Sequence, residues 1–176
     1  MASCNRTQCP SAALARLLTF AFLCAAAVAA SAAPRRLLHK PAPPFVRTDL
    51  QGHPVDIATF KGRVVLLSFW ATWCEPCQVE MPRFIDWQTR YGPQGLQVVG
   101  VSMDDGDAPV RALTSQRSIN YTVLMGDAKL ARLYGGILGL PITFLIDRQG
   151  RIAARFKGEA DLDAMERTLR PLLNAR

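Results

Sequence analysis

At 176 residues, 49% of them apolar, the chain suits one compact domain plus an appendage. Its formal net charge of +7 is a modest excess that reads as a solvated surface, one that favours an acidic protein partner by electrostatic steering. The basic residues are not interleaved with aromatic side chains that stack on bases, so no nucleic acid partner is expected.

The appendage comes first. Residues 1–16 carry Arg6 and Arg16 and no acid, and Leu17 to Ala30 is an uncharged run of mainly Leu, Ala and Phe. Ala30-Ser31-Ala32 then has the small-residue spacing read by signal peptidase, and Pro34-Arg35-Arg36 reverses the character. A basic start, an apolar middle and a small-residue end make an export signal, assigned to residues 1–33. The run is shorter and richer in Ala than the ~20 apolar residues of a spanning helix, which favours cleavage after Ala32 or Ala33. An uncleaved N-terminal membrane anchor is the alternative. A lipid on Cys24 is disfavoured by the bulky Phe22 and Leu23 before it. Either way the folded part is expected outside the cytoplasm, at the periplasmic or other extracytoplasmic face of the membrane. Residues 1–33 hold two of the arginines and no acid, leaving +5 on the remainder.

Residues 34–44, with Pro41, Pro43 and Pro44, read as a Pro-rich linker into a domain over 45–176. Phe45 to Thr48 and Pro54 to Asp56 flank Gln51-Gly52-His53 as a small hairpin. Val64 to Trp70 is an unbroken apolar run of strand length, suited to a central parallel strand covered on both faces. A helix is predicted from Glu75–Pro76 to Tyr91, with Pro76 in the first turn where its missing N–H costs nothing. Pro82 is expected to kink it by crowding the carbonyl of Gln78. Leu96 to Met103 is the next buried strand, Asp107 to Arg117 a helix, Thr122 to Met125 a short strand and Lys129 to Tyr134 a short helix. Ile142 to Asp147 and Arg151 to Lys157 form strands around the turn Arg148-Gln149-Gly150. There Arg151, Arg155 and Lys157 mark the wet face. The last helix, Asp161 to Asn174, carries the apolar stripe Leu162, Met165, Leu169, Leu172 and Leu173. Strands separated by helices form parallel pairs and the late hairpin adds antiparallel ones. The expected fold class is α/β, a central mixed β-sheet flanked by helices on both faces, with an N-terminal β-hairpin extension.

Cys4, Cys9 and Cys24 fall in the signal region, so the remaining chain keeps only Cys74 and Cys77. A bridge this short restrains little of the unfolded chain, and a disulfide-stapled scaffold would need more bridges. At the start of a helix the first sulfur lies beside unpaired backbone N–H groups and the positive end of the helix dipole, which favours the nucleophilic thiolate. Cys74 is read as the attacking thiol and Cys77, one turn on, as the one that resolves the mixed disulfide. Zinc would require four ligands, and only His39 and His53, read as surface residues, supplement the two sulfurs. A copper metallochaperone would need a placed His or Met beside the thiolates, and none is evident. An inert disulfide is the remaining alternative. No metal and no cofactor beyond the redox-active Cys74–Cys77 pair is expected.

Phe69-Trp70-Ala71-Thr72-Trp73-Cys74-Glu75-Pro76-Cys77, with Glu80 and Pro82 after it, resembles the active-site segment of the TlpA/ResA-like thioredoxin-fold disulfide reductases. Gly139-Leu140-Pro141-Ile142-Thr143-Phe144-Leu145-Ile146-Asp147 resembles the same family's second signature, and the similarity runs from about Phe45 to the C-terminus. The resemblance implies a thioredoxin-like fold and a disulfide reductase acting on other exported proteins. It implies that Pro141 is a cis-proline beside the disulfide, with the backbone of Leu140 presented to a substrate strand. It places Glu80 near the sulfurs, where it shuttles the proton of Cys77 or holds a partner protein; an exposed helix position is the plainer reading of that residue. Glu75 puts a negative charge between the cysteines, which opposes the thiolate and makes the pair a reductant. Trp73 and Trp70 read as packing and cover. Ile142 stands where the family often has Thr, and Ser68 stands where thioredoxin keeps a buried acid, which leaves Glu80 the better proton shuttle.

The family implies disulfide-bearing exported proteins as clients, apocytochrome c among them, within cytochrome c maturation. It also implies a membrane thiol-reductant transporter of the CcdA/DsbD type as electron donor; a monomer is expected. Rival readings are a peroxiredoxin-like peroxidase and a disulfide-donating oxidase. The first is opposed by Leu67 and Ala71, which occupy the Pro and Thr positions of the peroxidatic pattern. The second is decided by the reduction potential of the pair.

Overall fold

The computed structural model describes residues 37–175, so the predicted export signal lies outside the described residues. Every predicted element is present, displaced by one residue at most at either end. The strands are β1 (Val46–Thr48), β2 (Pro54–Asp56), β3 (Val64–Trp70), β4 (Leu96–Ser102), β5 (Thr122–Met125), β6 (Ile142–Ile146) and β7 (Ile152–Lys157). The helices are α1 (Glu75–Tyr91), α2 (Asp107–Gln116), α3 (Ala128–Leu133) and α4 (Leu162–Asn174), with short 3-10 turns at Ile57–Phe60 and Gly92–Gln94.

β1 and β2 form a separate antiparallel pair. The other strands make one sheet in the order β5-β4-β3-β6-β7. β3 pairs parallel with β4, and β4 with β5, because a helix intervenes each time; β6 and β7 join antiparallel. The central position of β3 explains why its seven residues are all buried. The chain is thus a thioredoxin-like α/β fold with an N-terminal hairpin, as its sequence predicts.

Alternation along the strands sorts the core onto two faces. Val65, Leu67 and Phe69 of β3 pack with Phe45, Ile57, Leu130 and Tyr134 on one side. Val64 and Leu66 pack with Phe84, Trp87 and Tyr91 of α1 and Met165, Leu169 and Leu173 of α4 on the other. α1 runs unbroken through Pro82 to Tyr91. Pro82 itself is exposed, and its missing N–H leaves the Gln78 carbonyl without its helical donor.

Two surface expectations change. From Leu37 onward the stretch read as a linker lies along β7: the His39 N–H donates to Ile152 O (2.7 Å), the Ile152 N–H to Lys40 O (2.9 Å) and the Ala42 N–H to Gly150 O (2.8 Å). β7 is an edge strand with backbone groups to satisfy, and an extended Pro-containing segment can cover them. Arg155 is not on a wet face. Its guanidinium lies over Phe144 at 5.8 Å, with Nε buried, while Arg151 and Lys157 are exposed as expected.

Candidate active site

β3 delivers the chain to the edge of the sheet, and Ala71 to Trp73 turn it into α1. Cys74 is the residue that caps this helix, with extended backbone (φ −91°, ψ 100°), and Pro76 lies in the first turn. The Cys74 N–H donates to Ala71 O (3.2 Å) and the Gln78 N–H to Cys74 O (3.2 Å). Cys74 and Cys77 are joined as a disulfide with Cα atoms 5.3 Å apart. Both are buried, in a cluster with Trp70, Ala71, Met81, Val110 and Val123. Trp70 is packed as predicted, but Trp73 is not: it is 71% exposed, an aromatic face beside the disulfide. Glu75 is exposed on the first turn.

One part of the site was not foreseen from the sequence. The Asp104 carboxylate, almost buried in the loop after β4, accepts from the Thr72 N–H (2.9 Å), the Thr72 hydroxyl (2.5 Å) and the Ser102 hydroxyl (2.8 Å). It pins the turn that carries Cys74 to the end of the neighbouring strand. The Gln78 amide closes the same turn by donating to Thr72 O (2.7 Å), and Arg117 of the α2 C-terminus donates to Gln78 Oε1 (3.0 Å). The signal for this clamp is in the sequence: β3 and β4 are parallel, so residues just past both strands meet at one edge.

That edge also receives the chain before β6. The Leu140–Pro141 peptide is cis, and Leu140 packs against the cluster that holds both cysteines. Pro141 is buried, and its carbonyl accepts from the Gly158 N–H (2.9 Å), tying the turn to the end of β7.

Glu80 is not an exposed helix residue. It is 3% exposed, and neither carboxylate oxygen has a hydrogen-bond partner among the described residues. Burial raises its pKa to about 7, and the charge of Glu159 adds to the rise. The Ala160 amide opposes the shift without reaching hydrogen-bond geometry. Glu80 lies one turn beyond Cys77 on the buried stripe of α1, so a carboxyl that changes charge near neutrality accompanies the resolving sulfur.

His39 lies along β7 at the far end of the sheet, and His53 contacts Asp49 in the β1–β2 hairpin (3.3 Å). Among the described residues no three His, Cys, Asp or Glu side chains group as metal ligands.

Comparison with known proteins agrees with this geometry. Residues 38–155 match the AhpC/TSA family. The thiol-disulfide oxidoreductase ResA of Bacillus thuringiensis subsp. konkukian (strain 97-27) is 34% identical over 134 residues, 76% of this chain and 77% of that protein. ResA of Bacillus subtilis (strain 168) is 32% identical over 112 residues, covering 63% of this chain and 62% of that one. Among solved structures, a putative thiol:disulfide interchange protein DsbE from Chlorobium tepidum superposes with a TM-score of 0.71 at 33% identity, over 76% of this chain and 95% of that one. A putative thioredoxin from Neisseria meningitidis gives 0.69 at 28% identity, over 76% and 89% of the two chains. With its cysteine pair opening a helix beside a cis-proline turn, and with this kinship over most of its length, the chain belongs to the AhpC/TSA family as a TlpA/ResA-like thioredoxin-fold thiol–disulfide oxidoreductase.

Proposed function

We propose that this chain is an exported protein disulfide reductase whose working groups are Cys74, Cys77 and Glu80. The observation that carries the reading is the placement of Cys74 as the capping residue of α1, with Cys77 in its first turn and Leu140 packed against the cluster that holds both. In the reduced protein the helix N-terminus favours the Cys74 thiolate. That thiolate attacks one sulfur of a client disulfide and expels the other as a thiolate, leaving a mixed disulfide on Cys74. The Glu80 carboxylate takes the proton of Cys77. The Cys77 thiolate then attacks the Cys74 sulfur, frees the second client sulfur and closes the Cys74–Cys77 disulfide.

The client strand lies against the Leu140–Pro141 turn, with Trp73 as an apolar contact beside it and Pro76 shaping the first turn. Glu75 disfavours the thiolate and so biases the pair toward giving electrons away. Two electrons restore the dithiol, and a membrane thiol transporter of the CcdA/DsbD type is the donor we propose. The predicted signal supports an extracytoplasmic setting, where an oxidising environment creates the need for a reductant. Exported proteins with accessible disulfides, apocytochrome c among them, are the proposed clients.

Insulin-disulfide reduction tests the reading. Cys74→Ser is expected to abolish it, and an active Cys74→Ser protein would refute the assignment of the nucleophile.

A further inference from the structure

The reaction as drawn leaves a buried hydroxyl pair unused. On β3, Val64 and Leu66 pack with Phe84 and Trp87 of α1, while Trp70 packs with Cys77 and Met81. Ser68 falls between these two layers on the strand, as Glu80 falls between Cys77 and Phe84 on the helix. A strand alternates every second residue and a helix repeats every three or four, so Ser68 and Glu80 share one layer of the sheet–helix interface.

The neighbouring strands extend that layer. Thr143 of β6 stands opposite Ser68, and Gly100 of β4 stands beside it. Leu145 of β6 and Val98 of β4, each two residues away, pack with α1, so Thr143 and Gly100 face α1 as well. A Cβ at Gly100 would lie 2.8 Å from Trp70 Nε1 and 3.3 Å from the Tyr121 ring, so the glycine lets these side chains close over the strand. Below Glu80 the sheet therefore offers a glycine and two hydroxyls in otherwise apolar surroundings. The Thr143 hydroxyl donates to Ser68 Oγ at 3.2 Å, and both residues are buried. Among the described residues this pair keeps one O–H without an acceptor, and Glu80 keeps two oxygens without a donor.

We propose that Ser68, held by Thr143, is a positioning residue for the proton that Cys77 passes to Glu80: its O–H donates through one bridging water to the Glu80 carboxylate and holds it ionised and aimed for the transfer. The inference rests on Glu80 as the acceptor of the Cys77 proton. The transfer is balanced between those two groups: the Cys77 thiol becomes a thiolate, the Glu80 carboxylate becomes a carboxylic acid, and Ser68 keeps its own proton. Other groups facing Glu80 do not supply this stabilisation. Glu159, from the β7–α4 connection, repels the carboxylate, and Tyr121, from the segment before β5, brings no positive charge. Arg83, the next cation on α1, is engaged by Asp163 and Glu166 of α4. The Ala160 amide, the Tyr121 phenol and the buried Trp70 indole N–H are the other donors on this side, and none makes a hydrogen bond to Glu80.

The test follows single-turnover oxidation of the reduced protein by a disulfide-containing peptide across pH. The rate should fall on the acid side as the Cys74 thiolate and the Glu80 carboxylate become protonated, the first losing its nucleophilicity and the second its capacity to accept a proton. Ser68→Ala is expected to move the midpoint of that limb up by about one pH unit, the effect of losing one hydrogen bond to a charged group. Thr143→Val should move it the same way by less, and Ser68→Thr, which keeps a hydroxyl, should restore it. Glu80→Gln should leave only the limb set by protonation of the Cys74 thiolate, which Ser68→Ala should no longer move. If Ser68→Ala does not fold, Thr143→Val decides the matter. Unmoved limbs in Ser68→Ala and Thr143→Val, with the limb altered in Glu80→Gln, overturn the role of Ser68 and leave that of Glu80 standing. A limb that Glu80→Gln leaves unchanged, or that Ser68→Ala still moves in the Glu80→Gln protein, overturns both.

Discussion

Replacing Glu80 by Gln in the oxidised protein removes a buried carboxyl and, with it, a pH-dependent part of the folding free energy. The folded carboxyl has its pKa raised to about 7 from an ordinary 4.5, chiefly by burial. Between those two values the folded chain keeps a proton that the unfolded chain has lost. The native state is therefore favoured at low pH, loses stability as pH rises from about 4.5, and has lost the whole contribution once pH passes about 7. A shift of this size corresponds to about 3 kcal/mol. Gln does not titrate, and the disulfide removes the cysteines from the balance, so the difference between the two proteins isolates Glu80. Urea unfolding of oxidised wild-type and Glu80→Gln proteins at intervals from pH 4 to pH 8 measures it. The variant is expected to gain about 3 kcal/mol relative to wild type across that range, most of it below pH 7. Parallel stability curves would refute the reasoning, because a solvated carboxylate at this position would leave no such difference.

Asp104→Ala leaves the Thr72 N–H without its partner and is expected to cost about 1–3 kcal/mol in urea unfolding, with a matching loss of insulin reduction as the Cys74 turn loosens. The reduction potential of the Cys74–Cys77 pair, measured against glutathione, is expected at about −250 mV or lower; a value near −120 mV, roughly that of a strong oxidant, would reverse the proposed direction. Ala71 has no hydroxyl where the peroxidatic pattern has Thr, so peroxide consumption should not exceed that of the Cys74→Ser protein.

Much of this molecule is legible in its sequence because local signals and tertiary role agree. The run from Val64 to Trp70 is apolar throughout because β3 lies mid-sheet with both faces covered. The stripe on the last helix is regular because one face of α4 meets the core. Cys74 and Cys77 are readable because their spacing and their place before a helix are both local. What escaped depends on contacts between distant segments. Asp104 looks like a loop acid until the parallel pairing of β3 and β4 brings it to Thr72. Glu80 is reached through the family resemblance, but its burial is not legible locally, and the Glu159–Ala160 segment and Tyr121 that act on it lie far along the chain. Composition likewise made residues 37–44 a spacer, because nothing local reveals that β7 has an uncovered edge.

The division of labour between the two sulfurs is tested most directly by trapping. Reduced Cys77→Ala protein is incubated with a disulfide-containing peptide and mapped by mass spectrometry without added reductant. A stable one-to-one mixed disulfide on Cys74 is the predicted result; no adduct from Cys77→Ala, together with one on Cys77 in Cys74→Ala, would contradict it.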